Sequence, residues 1–489
     1  MKPNVIIITT DQQRYDTLGC NGNTWIHTPV LDELASCGAR FTRAYCSNPV
    51  CTPSRVSIMT GQLPSRHGSY NIGTTVADTG NFLSAVLTRN GYRTHQLGKA
   101  HFYPWDILSP ETQKTEGKAY FHDFAGFETA ELSVGHTDWG VNGHYEAWLA
   151  EKGIKKGHHM PQLQVKRLFE KDAYQTGDWG MPTAYHSGAW IVDRVRYFLK
   201  TRDESRPFYL NIGFQDPHHP LAVPKDWKKI PPETIPMPRG GFDARVAVQK
   251  ALADGTVEEA CGGRFGIAGN QDTAWKEVAE ENVKTARSYY YSMIELFDRQ
   301  MGELVSVLKE EGVFDDTLLI LTSDHGDMLF DHEIGEKGPL SFEEVLHVPL
   351  LMVWPAGIAP CVAEAPVSLM DLYPTVLDYA GISLPEIPCD GMSLRPLLEG
   401  ENWTRAGIRA EFKEEKDAVR YRCFITEEWK LTEYAGAGYG ELYHLKSDPE
   451  ESRNLWFDAE YVPVKYELLR KMLEEAENSA FLAERPCRC

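Results

Sequence analysis

No stretch of this chain is long and apolar enough to span a bilayer; the first apolar run, Val5 to Thr10, falls far short of the roughly 20 residues a membrane helix needs. No basic-then-apolar leader with a small-residue cleavage site precedes that run, so the sequence as it stands is expected to be cytoplasmic. Positive charge is scarce. A formal net charge of −20 argues against nucleic acid or an anionic membrane as partner. An anionic small molecule remains admissible, provided that a local pocket of cations holds it against the general field. Ten cysteines at irregular spacing form neither a disulfide framework nor a paired Cys-x-x-Cys zinc motif, which points to a reducing compartment. No internal repeat or low-complexity tract interrupts the chain.

What the chain does have is ordinary globular composition over 489 residues, more than one compact core accommodates. The expected division is a large α/β domain over residues 1–395 and a smaller α+β domain over 396–489. Short apolar runs without polar alternation, Val5–Thr10, Pro207–Phe214, Leu318–Thr322 and Val348–Val353, read as strands buried on both faces of a mostly parallel sheet. The spacing predicts helices at Pro29–Ser36, Ala189–Leu199 and Glu280–Glu311, the last stopped by Gly312. Strand, polar end and helix recur in that order, as in an α/β/α sandwich. After about Pro396, alternating segments at Tyr421–Thr426, Trp429–Tyr434 and Glu441–Leu445 predict a small antiparallel sheet, followed by a helix over Val464–Ala476. The region from Tyr103 to Gly180 has weak periodicity and reads as long loop, and no substrate residue is assigned there.

In open α/β sheets, ligands bind beyond the carboxyl ends of strands. Asp11 with Gln12, Lys99 with His101, His218 with His219, and Asp324 with His325 all fall at such ends. Each has an ordinary explanation alone, because an Asp after a strand is commonly a helix cap and a Lys or His there is commonly solvated. Their recurrence favours one shared site. The stretch Cys51-Thr52-Pro53-Ser54-Arg55 adds a helix start. Pro53 suits the first helical position, which puts Cys51 just before the N-terminus, where free N–H groups and the helix dipole favour an anion or a thiolate. Arg55, one turn in, can reach back to the same spot.

Cys51-x-Pro53-Ser54-Arg55, followed by an apolar run and Thr60-Gly61, resembles the first signature of the formylglycine-dependent sulfatases, members of the alkaline phosphatase superfamily. Gly91-Tyr92-x-Thr94 with Gly98-Lys99-x-His101 resembles the second. Pro217-His218-x-Pro220 and the closing hairpin around Glu441–Leu445 extend the resemblance along nearly the whole chain. It implies an alkaline-phosphatase-like fold and hydrolysis of a carbohydrate or aryl sulfate monoester. It also implies that a formylglycine-generating maturation enzyme oxidises Cys51, before folding, to an aldehyde whose hydrate is the nucleophile. Asp11, Gln12, Asp324 and His325 would then join that residue around one divalent cation. Oxygen-rich ligation favours calcium, while the imidazole of His325 widens the choice to manganese or zinc. Arg55, Lys99 and Lys337 would offset the charge of the sulfuryl group, His218 would protonate the leaving alcohol, and His101 would take the proton of the remaining hydroxyl as sulfate departs. Gln12 and His325 stand where the common form has Asp and Asn, and this pair also resembles phosphonate monoester hydrolases on the same fold. A phosphonate monoester or phosphodiester hydrolase is therefore the second reading, although those relatives tend to carry hydroxyl-bearing residues where Lys99 and His101 stand. A non-enzymatic module that binds sulfated ligands is the third, expected if Cys51 remains a thiol.

Overall fold

The computed structural model describes residues 2–76, 78–104, 123–138, 140–154, 165–168, 174–241, 246–257, 273–414 and 419–478. Its strands, in chain order, are β1 (Asn4–Thr10), β2 (Ala39–Tyr45), β3 (Arg93–Gly98), β4 (Thr129–Leu132), β5 (Val165–Arg167), β6 (Gly177–Trp179), β7 (Phe208–Gly213) and β8 (Ala222–Pro224). They continue with β9 (Thr317–Ser323), β10 (His347–Val353), β11 (Cys361–Ala363), β12 (Val367–Ser368), β13 (Ile408–Lys413), β14 (Arg420–Ile425), β15 (Trp429–Tyr434) and β16 (Gly440–His444).

The main sheet has the order β11-β2-β10-β9-β1-β7-β3-β4, with β12 beside β2. Among the described residues of this sheet only β10 is reversed, antiparallel to both β9 and β2, and the other pairs run parallel. The missing polar alternation in the sequence is explained by cover on both faces. Val5 and Ile7 enter one hydrophobic cluster with Val56 and Met59 of the Cys51–Thr60 helix and Val376 of the Leu372–Tyr379 helix. Ile6 and Ile8 enter the other, with Trp190 and Val195 of the Ser187–Thr201 helix and Met301 and Leu304 of the Glu280–Glu310 helix. The result is the expected α/β/α sandwich.

Two local expectations are corrected. The stretch from Tyr103 to Gly180 is not all loop: its described part contains β4, the Gly143–Glu151 helix, and β5 and β6, which pair with each other and, through β6, with β8 in a third sheet. The helix at the first signature begins at Cys51 itself, so Pro53 is its third residue rather than its first. The proline is tolerated there because N–H groups of the first turn have no intrahelical acceptor.

Strands β13 to β16 form a four-stranded antiparallel sheet. Phe424, Leu431 and Leu442 on one face meet Leu468 and Met472 of the Val462–Asn478 helix. Ala410, Phe412, Tyr421 and Cys423 face the other way and continue the core of the main sheet. Across this junction the wholly buried Lys430 of β15 ion-pairs with Glu343 at 3.0 Å and Glu451 at 2.5 Å. Edge strand β13 also touches the segment leading to Cys51, for Glu411 N donates to the Ser47 carbonyl at 2.9 Å and Asn48 Nδ2 donates to the Glu411 carbonyl at 2.6 Å.

Candidate active site

Strand register brings the separate motifs together. Because β9, β1, β7 and β3 are parallel neighbours, Thr10 sits opposite Ser323, Thr9 opposite Gly213, and Gly213 opposite Gly98. The next residues, Asp324, Asp11, Phe214 and Lys99, therefore leave the sheet along one edge. The backbones are tightly apposed there: Lys99 N donates to the Gly213 carbonyl at 2.9 Å, and a Cβ on Gly213 would lie 1.9 Å from the Lys99 carbonyl oxygen. Only glycine fits at that position.

Cys51 enters from the helix beneath. Its Sγ, 1% exposed, lies 3.1 Å from His325 Nε2 and 3.5 Å from Asp11 Oδ1. Ser54 Oγ ties the same helix to the Asp324 carbonyl at 2.6 Å. Arg55 reaches back as expected, donating Nε–H to Asp324 Oδ2 at 2.8 Å, while its Nη2 stands 3.7 Å from Asp11 Oδ2 and has no hydrogen-bond partner among the described residues. Burial, then the Asp11 carboxylate, pushes the Cys51 thiol up to about 12, against the expected thiolate. The helix dipole does not compensate for removal of the sulfur from water.

Asp11, Cys51, Asp324 and His325 each offer one ligand atom, all within 4.8 Å of one another. The His325 Nε2 to carboxylate separations, 3.8 Å to Asp324 and 3.9 Å to Asp11, match the edges of a coordination polyhedron with bonds of roughly 2.0–2.6 Å. His325 Nδ1 lies 2.8 Å from the Gly326 carbonyl, a bond that puts the proton on Nδ1 and leaves the Nε2 lone pair facing the carboxylates, as in metal-ligating histidines. The donor set fits a divalent cation. Gln12 adjoins these atoms: its N–H donates to Asp324 Oδ1 at 3.0 Å, its Oε1 accepts from Lys337 Nζ at 2.6 Å, and its Nε2 donates to Asp327. A second lone pair on Oε1 remains.

The cations gather opposite. Lys99 Nζ bonds Asp11 Oδ2 and lies 2.7 Å from His136 Nε2. Burial alone would raise the Asp11 carboxyl, but Lys99, His218 and His136 outweigh it and hold Asp11 well below the usual range. Lys337 Nζ is 2.8 Å from His218 Nε2, and His218 Nδ1 is 2.6 Å from the His219 carbonyl, so the ring carries its proton on Nδ1. Burial, then His136 and Lys337, holds this imidazole well below its ordinary range. His101 is half-buried, with its own imidazole lowered by burial and by Lys99. His219, adjacent to His218, is lowered by burial and by Lys337.

His136 was not anticipated. It follows β4 in the region read as loop, lies 3.0 Å from Asp11 Oδ2, and stacks on His218 with centroids 3.5 Å apart. Asp11, His136 and His218 also come within metal-ligand distance of one another. Parallel stacked rings direct their in-plane lone pairs side by side, however, so this trio does not converge on an ion as the first group does. Asp327 and Tyr174 were likewise unassigned, and Tyr174 O–H donates to Asp327 Oδ1 at 2.6 Å.

A family model described as "Sulfatase" matches residues 3–382, and one described as "N-sulphoglucosamine sulphohydrolase, C-terminal" matches residues 332–478. An arylsulfatase of Clostridium perfringens is 31% identical, over 97% of this chain and 94% of its own. A choline-sulfatase of Rhizobium meliloti is 29% identical, over 93% of this chain and 82% of its own. The crystal structure of a phosphonate monoester hydrolase of Agrobacterium radiobacter superposes with a TM-score of 0.79 at 26% identity, covering 98% of this chain and 96% of the other.

Proposed function

The chain belongs to the sulfatase family and is a sulfuric ester hydrolase, and on that premise we propose that it cleaves a small carbohydrate or aryl sulfate monoester in the cytoplasm, at the cluster of polar side chains around Cys51. The observation that carries this reading is Arg55 Nη2, a buried cationic donor without a hydrogen-bond partner among the described residues, 3.7 Å from the Asp11 carboxylate that Lys99 also bonds, with Lys99 and Lys337 both acting on the charge of Cys51. A buried charged donor left unbonded is costly, and an oxyanion at that position satisfies it. The net charge of −20 makes such a concentration of cations a local arrangement rather than a general one.

When present, formylglycine at position 51 supplies a hydrated nucleophile, and a divalent cation held by Asp11, Asp324, His325, residue 51 and Gln12 supplies charge that polarises the sulfate; calcium is our first choice. The chain's own groups do the rest. Arg55, Lys99 and Lys337 neutralise the sulfuryl oxygens as charge develops. The Lys337–His218 pair delivers the leaving-group proton: the imidazole has none on Nε2, and the ammonium 2.8 Å away is its source. His101, held neutral, accepts the proton of the second hydroxyl as sulfate leaves. His136, against Lys99, Asp11 and His218, orients all three.

The test is turnover of 4-nitrophenyl sulfate and of a 4-nitrophenyl phosphonate monoester by protein co-expressed with a maturation enzyme, followed by a panel of sulfated mono- and disaccharides. Faster sulfate turnover supports the proposal. The second reading, a phosphonate monoester hydrolase, is favoured by the superposition reported above and by Gln12 and His325, and faster phosphonate turnover would establish it. Lys99 and His101 stand against it.

A further inference from the structure

Resting on the Lys337–His218 pair as the source of the leaving-group proton, we propose that Tyr174 and Asp327 are positioning residues for that pair and act on it through Gln12. The Gln12 side chain is a joint with two ends. Its oxygen accepts from Lys337 Nζ at 2.6 Å, and its nitrogen donates to Asp327 Oδ2. The other oxygen of Asp327 accepts from Tyr174 O–H at 2.6 Å and from Leu329 N–H at 2.7 Å. The Tyr174 hydroxyl accepts in turn from Glu336 N–H at 2.5 Å. Glu336 is bonded covalently to Lys337, so Glu336, Tyr174, Asp327, Gln12 and Lys337 form a closed ring.

Direction within this ring is fixed by chemistry. An ammonium only donates hydrogen bonds, so Lys337 takes the oxygen of the Gln12 amide and leaves its N–H groups for Asp327, the one satisfactory orientation. A carboxylate at position 12, as in the commoner family pattern, would offer Asp327 no N–H donor. Gln12 and Asp327 are thus a matched pair, which gives the departure at position 12 a physical reason. The ring also spans a segment that needs holding. Leu329, Phe330, His332, Glu333 and Glu336 all have positive φ, between 44° and 70°, a conformation that costs non-glycine residues energy and persists only where the surroundings impose it. The Tyr174 ring packs on Phe330 and Trp275, with centroids 5.2 and 5.3 Å away, and its hydroxyl pins Glu336 at the far end of that segment. Lys337 Nζ consequently stays 2.8 Å from His218 Nε2.

The experiment compares phenyl sulfate, whose phenolate leaves poorly without a proton, with 4-nitrophenyl sulfate, whose anion leaves readily. Tyr174→Phe is expected to lower kcat/KM about tenfold for phenyl sulfate and less than about threefold for the nitrophenyl ester, a fraction of what general acid catalysis contributes. His218→Ala is the reference and should show the same selectivity more strongly. Uniform loss in Tyr174→Phe, with selective loss in His218→Ala, overturns this inference and leaves the proton-delivery reading standing. Uniform loss in His218→Ala removes both. A substitution pair decides the matter if Tyr174→Phe does not fold. Gln12→Glu should lower the melting temperature and activity towards phenyl sulfate, and Gln12→Glu with Asp327→Asn should restore both, because the Asn amide then donates to the new carboxylate. Absence of recovery in either readout overturns the matched pair.

Discussion

Lys430→Met is expected to loosen the junction between the C-terminal sheet and the main core. Lys430 is wholly buried and pairs with Glu343 and Glu451. Burial works against the Glu343 charge, yet Lys430 and His347 hold its carboxyl down to about 2, whereas burial, with Glu343 and Glu344 beside it, raises Glu451 well above the usual range. Removing the ammonium leaves these carboxylates buried without their cation. Breaking a buried pair in this way costs roughly 3–5 kcal/mol, set against a typical total of about 5–15 kcal/mol. At about 2.1 cal/mol/K of unfolding entropy per residue, the 489-residue chain moves by roughly 1 °C of Tm per kcal/mol, so the midpoint should fall by about 3–5 °C in scanning calorimetry at neutral pH. The pH dependence has a definite sign. A depressed carboxyl stabilises the fold above its unfolded value near 4.5 and loses that contribution as pH falls towards about 2, so the deficit of the variant should shrink across that interval. Lys430→Met with Glu343→Gln and Glu451→Gln should recover at least half of the lost stability. A single variant that melts within 1 °C of the parent, by the same ~1 kcal/mol sensitivity, would refute the argument.

Cys51→Ala should abolish sulfate ester hydrolysis with little change in melting temperature, and mass spectrometry of active parent protein should find an aldehyde at position 51; an active alanine variant would remove the nucleophile assignment. Prolonged chelation should eliminate turnover and lower the melting temperature, since Asp11 and Asp324 are wholly buried carboxylates that a cation would compensate, and metal analysis would identify the ion. Gly213→Ala should cost well over tenfold in kcat as well as stability, because the added methyl lies 1.9 Å from the Lys99 carbonyl oxygen and must displace Lys99; unchanged kinetics would show that the apposition is slack.

Much of this architecture was legible in the sequence because burial on both faces leaves a strong signal. The unbroken runs at Val5–Thr10 and Leu318–Thr322 became β1 and β9, and the predicted Glu280–Glu311 helix is observed at Glu280–Glu310. The polar residues just past those runs also met, because parallel neighbours must end at one edge. The orientation of β10 was not legible, since an apolar run reads the same in both directions. His136 and Tyr174 were missed for a different reason. Neither belongs to a periodic element, and what gives each its role is a partner far along the chain: Asp11 for the first, Asp327 for the second. The thiol at Cys51 was misjudged because a helix N-terminus can be recognised from Pro53 and Arg55, whereas the depth at which it is buried depends on everything folded around it.

The register of β9, β1, β7 and β3 determines which changes in length the enzyme can absorb. Successive side chains in a strand point to opposite faces, so losing one residue within β1 would swing Asp11 away from Asp324 and erase the site at a stroke. Adding several residues in the connection after β3 moves nothing in that ladder. Drift in chain length is therefore confined to the connections, and a protein engineer wishing to graft a new specificity onto this scaffold inherits both that freedom and that prohibition.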